Sequence, residues 1–380
     1  MNALKIGDIE VKLPIVQGGM GVGISLAGLA SAVANEGGIG IISVAGIGMR
    51  EHDYGTNFRE ANKRALRKEI RLAKSLTKGI IGINIMLALT DHEELIRVAL
   101  EENTDIIIMG AGLPLRIPAM IAEAGLTNHH SKLVVKVSSA KAAKLIFQYW
   151  MNKYNYLPDA VVVEGPLAGG HLGFKKEELI GATVPLSKLI KETVNVVHQF
   201  ENQYEKEIPV IAAGGIYTGK DIYEIMQSGA KGVKMGTRFV TTYECDAAQE
   251  FKDSYIACKK EDITIIDSPV GLPGRVIKNK FVEQVQLGNT KPFKCVCHCL
   301  SSCKCSEAPY CIAQVLCNSA IGNMTEGFAF SGTNAYRATK MQHVSEIVNE
   351  LVTEFNIEFV KNQHLETRNL IPELVYNSAI

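Results

Sequence analysis

Residues 209–240, PVIAAGGIYTGKDIYEIMQSGAKGVKMGTRFV, constrain the fold more than any other stretch of the chain. Pro209 to Ala213 is a short apolar run of the kind that is buried on both faces of a sheet. It ends at Gly214-Gly215, where no Cβ keeps a ligand away from the backbone. A helix is predicted from about Lys220 to Gln227, closed by Gly229. A second strand, about Gly232 to Met235, ends at Gly236-Thr237-Arg238. Strand, turn, helix and strand in this order make a parallel βαβ unit. Two successive strand ends that expose glycine amides and a hydroxyl suit a phosphate. The plainer alternative is a pair of ordinary tight turns.

The same alternation runs through the preceding residues. Strands are predicted within PIVQGGMGVGIS (14–25), at Ile39–Ser43, Ile80–Met86, Asp105–Met109, Leu133–Val137 and Ala160–Val163. Helical spacing follows each, at Leu26–Asn35, Phe58–Leu76, Asp91–Glu102, Leu115–Ala124, Ala140–Trp150 and Pro185–Phe200. Residues 44–56 read as a long loop. Eight strand–helix alternations with right-handed crossovers predict a closed TIM (β/α)8 barrel rather than an open doubly wound sheet. The barrel is assigned to residues 1–262. A C-terminal extension, 263–380, holds the turn-rich SPVGLPGRVIKNKF (268–281), a cysteine-rich segment, GFAFSGTNAYR (327–337) and a final amphipathic helix, Met341–Phe355. The extension is expected to pack near the barrel mouth, with 327–337 folding back over it. The last 20 or so residues are read as polar surface chain.

With 380 residues, 47% hydrophobic and 21% charged, the chain is an ordinary globular one. Its formal net charge of zero argues against nucleic acid or an anionic membrane as partner and weakly favours self-association, for example as a homodimer. No signal-peptide pattern opens the chain and no apolar run is long enough to span a bilayer, so a cytoplasmic location is expected. The nine cysteines then read as thiols or metal ligands rather than disulfides.

Barrel active sites form at the C-terminal ends of the strands. The residues predicted there are Gln17, Gly18, Gly19 and Met20 after strand one, Asn84 on strand three, Lys136 on strand five, and Glu164 with the AGGH segment after strand six. So many glycines let the backbone approach something flat and bulky. Flavin mononucleotide (FMN) fits, with its phosphate at strands seven and eight and its ring across the mouth. Lys136, flanked by valines, would stabilise negative charge on the reduced ring; the alternative is a surface lysine. His171, framed by Gly169, Gly170 and Gly173, is the candidate acid or base. Cys295, Cys297, Cys299, Cys303, Cys305 and Cys311 could furnish a zinc or iron–sulfur site, although C-x-C is not the common C-x-x-C knuckle; a loop of free thiols is the alternative. Cys245 and Cys258 read as core thiols.

PIVQGGMGVGIS, EGPLAGGHLG, PVIAAGGI, MGTRFVTTYEC and SPVGLPGR, in this order, resemble the nitronate monooxygenase (2-nitropropane dioxygenase-like) family, which includes the FMN-dependent enoyl-acyl-carrier-protein reductase II. The resemblance implies a TIM barrel with FMN and no metal required for catalysis. It implies that Gln17, Gly18, Gly19 and Met20 contact the flavin ring and that Asn84 and Lys136 line it. It places the phosphate on Gly170, Gly214, Gly215, Gly236 and Thr237, and gives His171 an acid/base or substrate-positioning role. Many relatives carry a Gly-Gln pair in the late loop; here that stretch is Gly332-Thr333-Asn334.

Three functions follow as expectations. The first is oxidation of alkyl nitronates by dioxygen to carbonyl compounds and nitrite. The second is NAD(P)H-dependent reduction of an enoyl thioester, which calls for a basic carrier-docking face; Arg64, Arg67, Lys68, Arg71 and Lys74 crowd one helix, where a solvated face is the alternative. The third is a flavin-binding protein with a metal-dependent interaction module. A phosphosugar isomerase on the same barrel would leave the glycine rim unexplained.

Overall fold

In a computed structural model, residues 1–181 and 183–370 are described, with side chains to residue 363. Of the final stretch read as surface chain, residues 371–380 lie outside the described residues, and the part before them continues the last helix to Leu370. Eight parallel strands close into a barrel. In chain order they are Ile15–Gln17, Ile39–Ser43, Ile80–Met86, Ile106–Gly110, Lys132–Val137, Ala160–Glu164, Val210–Ala213 and Gly232–Met235. The ring shuts where strand eight pairs with strand one, Val233 opposite Ile15. Together with the surrounding helices this is the TIM barrel that the alternation predicts.

The pleat sorts each strand into two faces. Ile107, Met109, Val135, Val161 and Val163 pack outwards against the helices in the main core. Val16, Ile41, Ile106, Ile108, Val134, Val162 and Ile211 point into the barrel and form a separate apolar cluster. Leu4, Ile6 and Val11 join that inner cluster. They come from an antiparallel hairpin, Leu4–Ile6 with Ile9–Val11, which plugs the barrel bottom. Burying each of its large aliphatic side chains is worth about 1.5–3 kcal/mol.

Two helix starts show how sequence and tertiary structure share the work. The helix Gly219–Met226 has a local capping box: Thr218 and Asp221 each bond the other's backbone N–H. The first helix, Ala27–Asn35, has only Leu26 at its N-cap. Asp246, from the loop after strand eight, caps it instead, accepting from Leu26, Gly28 and Leu29 N–H at 2.7, 3.0 and 3.1 Å. A Cβ at Gly28 would lie 2.5 Å from the Asp246 carboxylate, so the glycine lets the cap approach.

The stretch read as a long loop ends early, because helix begins at Tyr54 and kinks at Asn57. Arg64 of this helix pairs with Glu51 and Asp53, and Glu60 with Lys63. Asp91 sits at an N-cap, but its carboxylate accepts from Asn62 of this helix at 2.7 Å instead of capping its own.

Residues after 262 share the barrel's core. Phe281, Tyr310, Phe328, Val344 and Leu351 belong to the same buried cluster as the outer faces of the strands. The last helix, Val344–Leu370, presses on Gly219–Met226, where a Cβ at Gly219 would meet Leu351 O at 2.1 Å. Strands Ile263–Asp267 and Pro273–Ile277 form an antiparallel sheet whose third member is the two-residue strand Gly170–His171.

Candidate active site

The top of the barrel interior differs in chemistry from the bottom. Continuing the inward positions upward, the pleat puts Ser43, Asn84, Lys136, Glu164 and Lys234 around a cavity open at the C-terminal ends of the strands. Gly110 is inward at the same height, and a Cβ there would lie 2.5 Å from Lys136 Cε. The glycine is what leaves Lys136 room to cross the barrel.

Lys136 Nζ bonds both carboxylate oxygens of Glu164, at 2.9 and 3.0 Å. Glu164 and Lys234 are on adjacent register positions either side of Ala213, whose small side chain leaves them facing one cavity. Lys234 is buried, and its pKa is pushed down to about 8, first by desolvation and then by the charge on Lys136, with Glu164 opposing. One carboxylate between two lysines leaves one net positive charge while Lys234 is protonated. Sequence reasoning picked Lys136 and missed Lys234. The signal was the same, a lysine between apolar residues in a predicted barrel strand, GVKMG.

His171 lines the cavity on the short strand that pairs with Pro273–Ile277. Its Nε2 is 2.7 Å from Ser268 Oγ, and its ring meets Phe330 edge-on at 4.8 Å. Burial, with a smaller contribution from Lys136, pushes its pKa down to about 4, so the imidazole is neutral near pH 7. If Nε2–H donates to Ser268, Nδ1 keeps the free lone pair. Arg275 holds the loop before His171, donating to the carbonyls of Pro166 and Ala168 from a buried position. Ser268, Arg275 and Phe330 were not assigned roles from the sequence. They lie in SPVGLPGR and GFAFSGTNAYR, but antiparallel pairing across about 100 residues has no local signature.

The other predicted residues divide by position. Gly18, Gly19 and Met20 line the cavity with Asn84; a Cβ at Gly19 would collide with Asn84 Cβ at 2.4 Å. Gln17 is placed behind them. It is fully buried, Oε1 accepting from Ile41 N–H at 2.9 Å and its amide donating to Gly18 O, and does not line the cavity. Gly170, Gly214, Gly215, Gly236 and Thr237 also line the cavity, the last four at the paired ends of strands seven and eight. Gly214 and Gly215 have φ of 97° and 82°, conformations that favour glycine. The late loop closes over this end: Gly332 N–H donates to Thr237 Oγ1 at 3.0 Å, and Asn334 Nδ2 to Gly215 O at 2.7 Å. Thus 327–337 folds back over the mouth, and its Gly-Thr-Asn stretch braces the glycine turns of strands seven and eight.

Two lysines, a neutral imidazole and a glycine wall around a barrel mouth form a site for moving protons and stabilising negative charge. The sequence model of the nitronate monooxygenase family matches residues 2–354, so the chain belongs to that family and is an oxidoreductase. It is 26% identical to a probable nitronate monooxygenase of Staphylococcus haemolyticus, over 91% of this chain and 95% of that one. It is 27% identical to a (3aS,4S,5R,7aS)-5-hydroxy-7a-methyl-1-oxo-octahydro-1H-indene-4-carboxyl-CoA dehydrogenase of Rhodococcus jostii, over 73% of this chain but only 66% of that relative. Among solved structures, FabK from Thermotoga maritima superposes with a TM-score of 0.72 at 25% identity, covering 93% of this chain and 96% of the other. A nitroalkane oxidase from Streptomyces ansochromogenes superposes at 0.69 with 20% identity, covering 92% and 97%, a likeness of fold. No helix among the described residues is long and apolar enough to cross a membrane.

Proposed function

We propose that this protein binds FMN and oxidises alkyl nitronates with dioxygen, giving a carbonyl compound and nitrite. The observation that carries the reading is His171, a neutral imidazole fixed by Ser268 in the wall of a cavity that also holds Lys136 and Lys234. The residues present fit the cofactor. Asn84 and Ser331, both in the cavity wall, each keep a buried side-chain oxygen without a protein partner. A Cβ at Gly170 would project into open space, and the Gly214-Gly215 turn offers backbone a side chain would obstruct.

In this reading Gly214, Gly215, Gly236, Thr237 and Gly170 hold the phosphate, while Gly18, Gly19, Met20 and Asn84 face the ring. Gln17 supports that wall from behind. The chemistry FMN supplies when bound is electron acceptance from the substrate and electron transfer to dioxygen. Lys136 and Lys234 offset negative charge that develops in the water-poor site, Glu164 fixing the position of the first. His171, neutral at working pH, takes the α-proton of a neutral nitroalkane at its free nitrogen, giving the nitronate, or as the other tautomer donates from that nitrogen to a nitronate oxygen.

Reduction of an enoyl thioester is the second reading, favoured by the likeness to FabK. Its candidate docking face is weakened by the ion pairs on the long helix. Arg67 pairs with Glu101 and Glu102, Arg71 with Glu102, and Arg64 with Glu51 and Asp53, so those charges are offset within the protein. Purified protein should be yellow, and anaerobic addition of a 2-carbon or 3-carbon nitronate should bleach it in part, with nitrite released on admitting air. No bleaching with a nitronate, alongside NADH consumption that requires a crotonyl thioester, would move the assignment to the reductase.

A further inference from the structure

Six of the cysteines lie between residues 295 and 311, in a segment that has neither helix nor extended strand. Chain of this kind has no core of its own and needs an external staple. All nine cysteines are free thiols, so no disulfide supplies one. The segment does bind the barrel at one place. Leu300 is buried and bridges Leu89, Thr90 N–H donates to Cys299 O at 3.1 Å, and Thr90 Oγ1 donates to His298 O at 2.9 Å. Between and beyond these anchors, three side chains turn towards one another. The ligand atoms of Cys295, His298 and Cys305 all lie within 4.8 Å of each other.

We propose that this segment binds a zinc ion through Cys295, His298 and Cys305, with water or a further cysteine of the segment in the fourth tetrahedral position. The spacing supports it. Cys295 and His298 are separated by two residues, which is knuckle spacing with histidine as the second ligand. His298 has φ of 43°, a left-handed turn that curls the sulfur and the ring to one side. Its N–H donates to Cys295 Sγ at 3.4 Å, which holds the sulfur on the same side of the turn.

The distances support it as well. With metal–sulfur bonds of about 2.3 Å and metal–nitrogen bonds of about 2.0–2.1 Å, tetrahedral ligands lie about 3.6 Å apart. His298 Nδ1 and Cys305 Sγ are 4.0 Å apart, so a small side-chain adjustment closes the site. On binding, each cysteine ligand releases its thiol proton to solvent, and His298 coordinates as neutral imidazole through Nδ1.

A second group, Glu51, His52 and Asp53, has similar proximity, but its two carboxylates already pair with Arg64. The zinc site goes beyond the proposed flavin chemistry and its test does not use turnover. It also reaches towards the cavity: Ser302 Oγ donates to Val270 O at 3.1 Å, in the turn that carries Ser268, the partner of His171. The ion would brace that turn from outside.

The test is metal analysis of the full-length protein, purified under reducing conditions with zinc in the growth medium. About one zinc per chain is expected, falling to near zero in His298→Ala and in Cys305→Ser, while Cys317→Ser keeps the metal. Because either ligand variant can fail to fold, the unmodified protein is also loaded with cobalt(II). Thiolate-to-cobalt charge-transfer absorption with intense tetrahedral bands is expected. Protein that stays metal-free after zinc titration, cobalt spectra without thiolate bands, or zinc retained in a folded His298→Ala/Cys305→Ser variant would each overturn the proposal. Stoichiometric iron with acid-labile sulfide would overturn the zinc assignment.

Discussion

The two ends of the barrel are built on the same strands and do opposite things. At the bottom, inward residues such as Ile106, Val134 and Ile211 meet Leu4, Ile6 and Val11 of the N-terminal hairpin, and the interior is filled with aliphatic side chains. At the top, two residues further along the same faces, the inward set becomes Lys136, Glu164 and Lys234 around an open cavity. One pleat direction thus carries both an apolar plug and a charged, open mouth. The bottom is free to maximise burial. The top accepts buried charge, glycine turns at positive φ and unpartnered oxygens on Asn84 and Ser331. Stability and function are separated by height along the barrel.

That separation can be broken from either end. The largest effect is expected at the top from His171→Ala: nitrite release should fall by about 10²–10⁴-fold, the usual worth of a positioned acid or base, with the cofactor still bound. Near-normal turnover would remove His171 from the chemistry. At the bottom, Leu4→Ala should cost about 2–5 kcal/mol in urea unfolding through its cavity, with kcat unchanged. A matching loss of kcat would mean that the two ends are coupled.

Glu164→Ala leaves two lysines without their carboxylate and should destabilise the fold by about 3 kcal/mol, near the low end for a broken buried pair because a fifth of Lys136 remains exposed. Adding Lys136→Met should recover much of that loss, and a double-mutant cycle measures how much. Gly214→Ala puts a Cβ at φ 97° and 2.9 Å from Gly165 O, so it should weaken FMN retention by about 1–3 kcal/mol, read by flavin fluorescence on dilution.

The pH dependence from His171 is read in stability rather than in turnover. Its folded pKa of about 4 lies below its usual 6.5, so the unfolded chain binds more protons between these values. Stability should therefore rise with pH from about 4 to 6.5 and then level off, and His171→Asn should flatten that slope. An unchanged slope in the variant would assign the acid sensitivity to other groups.

The barrel was legible because each strand is a short apolar run followed by helical spacing, a pattern that depends on local chain alone. Part of the mouth was legible for the same reason. A polar residue that interrupts such a run, as Asn84 and Lys136 do, stands out against its neighbours. Lys234 carried the same signal and was absorbed into the reading of its strand as a phosphate turn. The hairpin was not legible as a plug, since LKIGDIEV alternates charged and apolar residues like any exposed edge. The docking reading of the basic helix depended on what lay opposite it, and Glu101 and Glu102 stand on the next helix.

The sequence by itself determined the repeat of strands and helices, the glycines that end them and the kinds of reactive side chain carried there, because these follow from local periodicity and backbone freedom. Tertiary structure alone decided which groups meet. Ser268 reaches His171 from 97 residues away, Asp246 caps a helix that has no cap of its own, and Cys295, His298 and Cys305 share one small space. Such meetings are set by closing a ring of strands and folding the late chain over it, and contacts made by ring closure leave no trace in the spacing of neighbouring residues.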